Sequence, residues 1–204
     1  MSLKELDDIL IKIQEYHPKY IDLNLKRINR LLVDLGSPHQ FLPPTIHIAG
    51  TNGKGSTLSI LRSMLEESGL TVHSYTSPHL VNFNERIRIK DQLISNKFLF
   101  EILNITDKVN KNQEITFFEF TTAAAFLAFS KIKADILLLE VGLGGRLDAT
   151  NVVPNVIASI ITEISFDHEH FLGSTLSKIS KEKCGIIKKG IPVFTISQKN
   201  EIIS

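Results

Sequence analysis

Three short runs in this chain are apolar at nearly every position rather than at every second one: TIHIAG at 45–50, ADILLLEV at 134–141 and VIASIITEIS at 156–165. A strand with one face in water alternates apolar and polar side chains. A strand that is apolar throughout is buried on both faces, as in a parallel sheet covered by helices on each side. That constraint selects an α/β fold, a mostly parallel sheet with helices on both faces.

The segments between the runs agree. Leu3, Leu6, Ile9, Leu10 and Ile13 recur at helical spacing over 3–16. A second helix is predicted from Leu23 to Leu35, stopped by GSPHQ and then Pro43-Pro44. KGSTLSILRSMLEESG reads as a helix ending at Gly69. TVHSYTS at 71–77 reads as a strand closed by Pro78, and PHLVNFNERIRIK as a loop with an extended end. Helices are expected over 96–110, 116–133 and 174–188, and a last strand at IPVFTI, 191–196. The final residues run polar with no closing helix, as if the chain stopped inside a larger protein. The expected organisation is one domain over 1–204, with a helical segment over 1–44 and an α/β core over 45–204.

Composition removes several function classes. The 204 residues are 43% hydrophobic and carry a formal net charge of +1. That balance gives no electrostatic reason to bind nucleic acid or an anionic membrane. No apolar run reaches membrane-spanning length, and no signal-peptide core stands at the N-terminus. The lone Cys184 fits a reducing compartment. A cytoplasmic protein is expected.

The run at 45–50 continues into a second feature, HIAGTNGKGST at 47–57. A strand, a glycine-rich turn and a helix form an anion site, because the first N–H groups of the helix lack partners and face the ligand. Thr51, Asn52, Gly53, Lys54, Gly55, Ser56 and Thr57 are the candidate nucleotide-binding residues. Lys54 supplies a charge for the β/γ-phosphates, and Ser56 or Thr57 a hydroxyl for Mg²⁺. The register is unusual. In G-x-x-x-x-G-K-[ST] a glycine would stand at 48, where Ile48 sits, and Gly55 separates Lys54 from Ser56.

Further candidates come from strand ends. Glu140 closes ADILLLEV beside the glycine turn GLGGRLDATN, where ligands bind in such sheets. It is the best single Mg²⁺ candidate, a hard oxygen donor for a hard cation. His168 follows VIASIITEIS; imidazole is an unusual magnesium ligand, so chemistry alone favours a structural histidine, and His170 competes by spacing. Phe117, Phe118 and Phe120 suit either stacking on a flat ring or a helix core.

AGTNGKGST resembles the ATP loop of the Mur ligase superfamily. Together with TSPHLVNFNERIRI (76–89), EVGLGGRLDATNVV (140–153), DHEHFLG (167–173) and EKCGIIKKGIPV (182–193), it resembles the folylpolyglutamate synthase/dihydrofolate synthase family. The resemblance implies a Mur-type central domain followed in the family by a C-terminal Rossmann-like domain, which this sequence lacks. It implies ATP-dependent joining of L-glutamate to dihydropteroate or folate, with ATP and Mg²⁺ and no nucleic-acid or membrane partner. A monomer is expected for the full-length protein, and an inactive ligase for this chain alone. By the same resemblance, Ser77 joins Glu140 on one metal. His168 and a carbamylated Lys183 hold a second, so that Lys54, Lys183 and His168 are the catalytic set. Pro78, His79, Arg86, Phe118 and Asp148 are implied to line or order the substrate pocket.

Overall fold

The computed structural model describes residues 3–19 and 21–203; Met1, Ser2, Tyr20 and Ser204, and the side chains of Leu3, Asn200 and Ile203, lie outside the described residues. Its centre is a sheet of β1 (Thr45–Ala49), β2 (Val72–Tyr75), β3 (Ile87–Ile89), β4 (Gln92–Leu93), β5 (Ile136–Glu140), β6 (Val156–Ile161) and β7 (Val193–Thr195). The strands lie in the order β4-β3-β2-β5-β1-β6-β7. β2, β5, β1, β6 and β7 are parallel, and β3 and β4 add an antiparallel edge. The helices are α1 (Leu3–Gln14), α2 (Lys26–Asp34), α3 (Lys54–Glu67), α4 (Asn96–Asn110), α5 (Phe117–Lys131), α6 (Glu169–Leu172), α7 (Leu176–Lys183) and α8 (Asn200–Ile203).

The double burial inferred from the apolar runs is visible along β5. Leu137 and Leu139 enter a large core built with α1, α2, α4 and α5, while Leu138 points the other way, to Ile48, Val72 and Leu58 of α3. Both faces are dry, so alternation had no reason to appear. Of the histidines inside these strands, His73 is bonded at both ring nitrogens, Nε2 to the Ile132 carbonyl at 2.8 Å and Nδ1 to Lys90 N at 3.1 Å. His47 pairs through Nε2 with Thr150 Oγ1 at 2.8 Å, and its buried Nδ1 has no partner among the described residues. α5 starts with a capping box. The Thr116 hydroxyl accepts from Glu119 N, and the Glu119 carboxylate accepts from Thr116 N. Its first three turns are then buried almost all round, from Phe117 to Phe129.

Four expectations need correction. β6 stops at Ile161, and the chain continues as a loop into the unexpected short helix α6. The helix expected over 174–188 ends at Lys183 in a 3₁₀ turn over Cys184–Ile186. In that turn the chain passes close to the Arg146 backbone, and a Cβ at Gly185 would lie 2.6 Å from Arg146 Cα. The second helix begins at Lys26 rather than Leu23. Finally, the polar end does contain a short helix, α8, preceded by a tie to the sheet. Gln198 donates to the Thr162 carbonyl at 2.8 Å and accepts from Ile164 N at 3.2 Å.

Phe126 is fully buried in the main core, whereas Ile60 on α3 is mostly exposed. Phe126→Ala is expected to cost about 3–5 kcal/mol through lost burial and a residual cavity. Ile60→Ala is expected to stay within about 0.5 kcal/mol. Urea unfolding of both variants checks the core assignment; equal effects would contradict it.

Candidate active site

The carboxyl ends of β1, β5 and β2 meet at the turn that leads into α3. Gly50, just past β1, has φ 151°, and a Cβ there would lie 1.8 Å from Thr162 Oγ1, so only glycine fits. Gly53 is the left-handed N-cap of α3 (φ 82°), and no side chain caps the helix. The first N–H groups of α3 are therefore offered to a ligand, at the positive end of the helix dipole. The turn itself is rigid. Thr51 N donates to the Glu163 carbonyl at 2.7 Å, and Thr51 Oγ1 donates to the Ser165 carbonyl and accepts from Ser165 N, each at 3.1 Å. Asn52 donates to the Glu163 carboxylate at 3.1 Å and to Ser165 Oγ at 3.3 Å.

Two ammonium groups converge on this turn. Lys54 Nζ folds back to donate to the carbonyls of Gly50 (3.1 Å) and Thr51 (3.2 Å). Lys183 Nζ, from the end of α7, donates to the same Gly50 carbonyl at 2.9 Å. Lys183 is buried, although Lys178, Lys181 and Lys189 around it are exposed. Burial, and then the nearby charge of Lys54, lower its amine to about 8. Glu140 is also buried; desolvation raises its carboxyl, opposed by Lys54 and by Ser77 N, which donates to its Oε2 at 3.3 Å. Gly55 lies alongside, since a Cβ there would be 3.8 Å from the same oxygen.

This centre opens onto a cleft of about 260 Å³. Its polar lining includes Ser77, Arg86, Asp148 and His168, and its aromatic lining Phe117 and Phe118. The tip of the Phe118 ring lies against Gly142, where a Cβ would come within 2.5 Å of it. Phe120 faces fully into the core. Asp148 is buried and accepts from Leu143 N, Thr150 N and the Thr150 hydroxyl, so it braces the glycine turn while facing the cleft. Pro78 lines the cleft, but His79 does not; it lies in a neighbouring groove with Asp7, Leu10 and Glu85. His168 is left-handed (φ 47°), exposed and 3.6 Å from the Asp167 carboxylate, and His170 sits in a separate cleft with Lys19 and Phe171.

The structure thus brings Lys54, Lys183, Glu140 and Ser77 to one centre, with His168 on the rim of the same cleft. Ser56 is exposed and Thr57 half-buried on the first turn of α3. Among the described residues no three His, Cys, Asp or Glu side chains form a ready-made metal cage. A buried carboxylate next to a serine hydroxyl, with phosphate expected at the helix end, nevertheless fits a hard cation that takes most of its oxygens from substrate and water. Asp22, Asn24 and Glu119 also line the cleft. They fall in IDLNLKRINRLL (21–32) and TFFEF (116–120), segments that the family resemblance sets near the substrate pocket without singling out these three side chains.

Lys183 has a depressed amine, so the unfolded chain holds its proton to higher pH than the folded one. Folding is then penalised most below pH 8, and stability is gained as pH rises from about 8 towards 10.5, by at most about 3 kcal/mol. Denaturant unfolding at both ends of that window should show a gain in the wild type that Lys183→Met lacks. Equal gains in both proteins would place the amine in water.

Three comparisons with known proteins place the chain in a family. The Mur ligase middle-domain family matches residues 48–201. The chain is 45% identical over 185 residues to the dihydrofolate synthetase of Saccharomyces cerevisiae, covering 89% of this chain and 43% of that protein. It is 43% identical over 188 residues to the dihydrofolate synthase/folylpolyglutamate synthase of Haemophilus influenzae, covering 92% and 42%. The structure of E. coli FolC in complex with DHPP and ADP superimposes with a TM-score of 0.88 at 36% identity, over 93% of this chain and 45% of that one. The chain therefore spans a little under half the length of these relatives. The chain belongs to the Mur ligase middle-domain family, and over most of its own length it is similar to the dihydrofolate and folylpolyglutamate synthases.

Proposed function

We propose that this chain is the ATP-binding portion of a ligase that joins L-glutamate to the carboxyl group of dihydropteroate, of a (tetrahydro)folate, or of both. The observation that carries this reading is the centre at Gly50. Unpartnered helix N–H groups and two ammonium groups stand beside a buried carboxylate and open onto a cleft with one cation and two aromatic rings. A carboxylate does not condense with an amine in water, because its oxygen is a poor leaving group. Transfer of the γ-phosphoryl group of ATP to it makes an acyl phosphate, which the amine of glutamate then attacks with release of phosphate. Such transfer needs positioning and charge neutralisation more than a protein nucleophile.

The residues divide that work. The N–H groups at the start of α3 and the Lys54 ammonium hold the β- and γ-phosphates. Glu140 and the Ser77 hydroxyl would hold Mg²⁺, with His168 and Lys183 towards a second ion. The metal, when bound, neutralises charge on phosphate oxygens. Arg86 meets the carboxyl group to be activated, and Phe118 gives the acceptor's ring a flat surface. A lysine amine near 8 has an uncharged fraction at neutral pH, the form that takes up CO₂ as a carbamate. The E. coli relative is known in complex with DHPP and ADP, and ADP is a nucleotide of the kind this reading requires. In the proposed organisation, residues 1–204 form the ATP-binding domain. A further domain completes the glutamate site, and the whole protein is a cytoplasmic monomer. No helix of the described residues is long and apolar enough to cross a membrane.

In the full-length protein, Lys54→Ala is expected to lower ATP-dependent glutamate incorporation by roughly a hundredfold or more, since phosphate charge goes unneutralised during transfer. Normal turnover in that variant refutes the assignment. Lys183→Ala tests the carbamate. The expected outcome is loss of activity that added acetate partly restores, because acetate can occupy the vacated carboxylate position. Full activity without rescue would make Lys183 a structural lysine.

A further inference from the structure

Arg86 is buried at 5% exposure and lines the cleft, yet no carboxylate pairs with it among the described residues. Its one side-chain hydrogen bond there runs from Nε to Nδ1 of His79, at 2.9 Å. Aromatic rings enclose the rest. The guanidinium carbon lies 5.4 Å from the centre of the Phe83 ring and 5.8 Å from that of Phe117. Those rings meet edge to face at 6.0 Å, and the His79 ring packs on Phe83 at 5.7 Å. A buried cation without an anion is costly. Its counter-charge therefore comes from whatever fills the cleft.

We infer that His79 is a positioning residue for the acceptor substrate: from outside the cleft, it sets the plane of the Arg86 guanidinium and leaves its terminal amino groups to grip the carboxyl group to be activated. This rests on the ligase reading. Three features support it. The bond uses Nε, which leaves the fork of terminal groups for two-point contact with a carboxylate. The pedestal is stiff, because the N–H groups of Leu80, Val81 and Asn82 all donate to the Glu85 carboxylate at 2.7–3.0 Å. And the acceptor is a neutral imidazole. A carboxylate at position 79 would make the same bond but cancel the charge that the substrate is meant to meet.

The last point separates positioning from mere packing. In the full-length protein, His79→Leu removes the acceptor, His79→Asn keeps one near the place of Nδ1, and His79→Asp keeps it but adds charge. Removing a hydrogen bond to a charged group is expected to raise KM for the dihydropteroate or folate acceptor roughly tenfold or more in His79→Leu, with KM for ATP within about twofold. His79→Asn should bring the acceptor KM back to within about threefold, and His79→Asp should raise it again despite the intact bond. An unchanged acceptor KM in His79→Leu, or a His79→Asp protein that matches the wild type, overturns the inference. A wild-type protein that ligates no glutamate would instead sink the ligase reading. The Arg86 Nε–H resonance of the chain then still decides the positioning role: it should be protected from solvent exchange in the wild type and His79→Asn and lost in His79→Leu, and its survival in His79→Leu refutes the role.

Discussion

Two ammonium groups share the carbonyl of Gly50, and the active centre is arranged around that contact. Lys54 reaches it from the start of α3 and Lys183 from the end of α7, so one backbone oxygen ties two helices to the end of β1. Burial out of water, and then the repulsion from the Lys54 ammonium held this close, lower the Lys183 amine towards neutrality. The repulsion is tolerable only where negative charge is near. Glu140 supplies part of it from the end of β5, and the N-terminus of α3 draws further anions to the same place. Gly50 itself has no alternative, since Thr162 fills the space of a side chain.

The cleft depends on a second set of contacts, between the N-terminal segment and α5. Arg27 of α2 donates to Asp22 and to Glu119, each at 2.9 Å, and Glu119 also caps Thr116. One buried carboxylate thus both starts α5 and anchors the segment that carries Asp22 and Asn24 to the cleft. His17 extends the link, with Nε2 at 3.3 Å from Asp22 and 3.0 Å from Glu114. α1 and α2 are therefore part of the same core as the sheet, packed on α4 and α5.

Much of this was legible in the residue order. Unbroken apolar runs marked the buried parallel strands, because a strand covered on both faces has no polar face to reveal. The cradle was legible too, since a glycine-rich turn between a strand and a helix is a local pattern; Gly53 is demanded by its left-handed backbone, and Gly50 also by Thr162 from the end of β6. Glu140 could be placed at a strand's end by counting. The helix over 96–110 was found to the residue, because its N-cap serine and its spacing are local properties.

What the tertiary structure alone decided is which side chains became special. Lys183 is one of several lysines in its stretch, and only packing against the Gly50 turn buries it. Of three neighbouring phenylalanines, Phe118 faces the cleft because Gly142 leaves room for its ring, while Phe120 fills the core. Arg86 and His79 pair through a turn whose shape comes from the Glu85 carboxylate. Sequence pattern determines period, strand ends and turns, which are properties of neighbours along the chain. The burial of a charge such as Lys183 is a property of segments far apart in the chain, 133 positions for Lys183 and Gly50, and exists only once the sheet has brought them together.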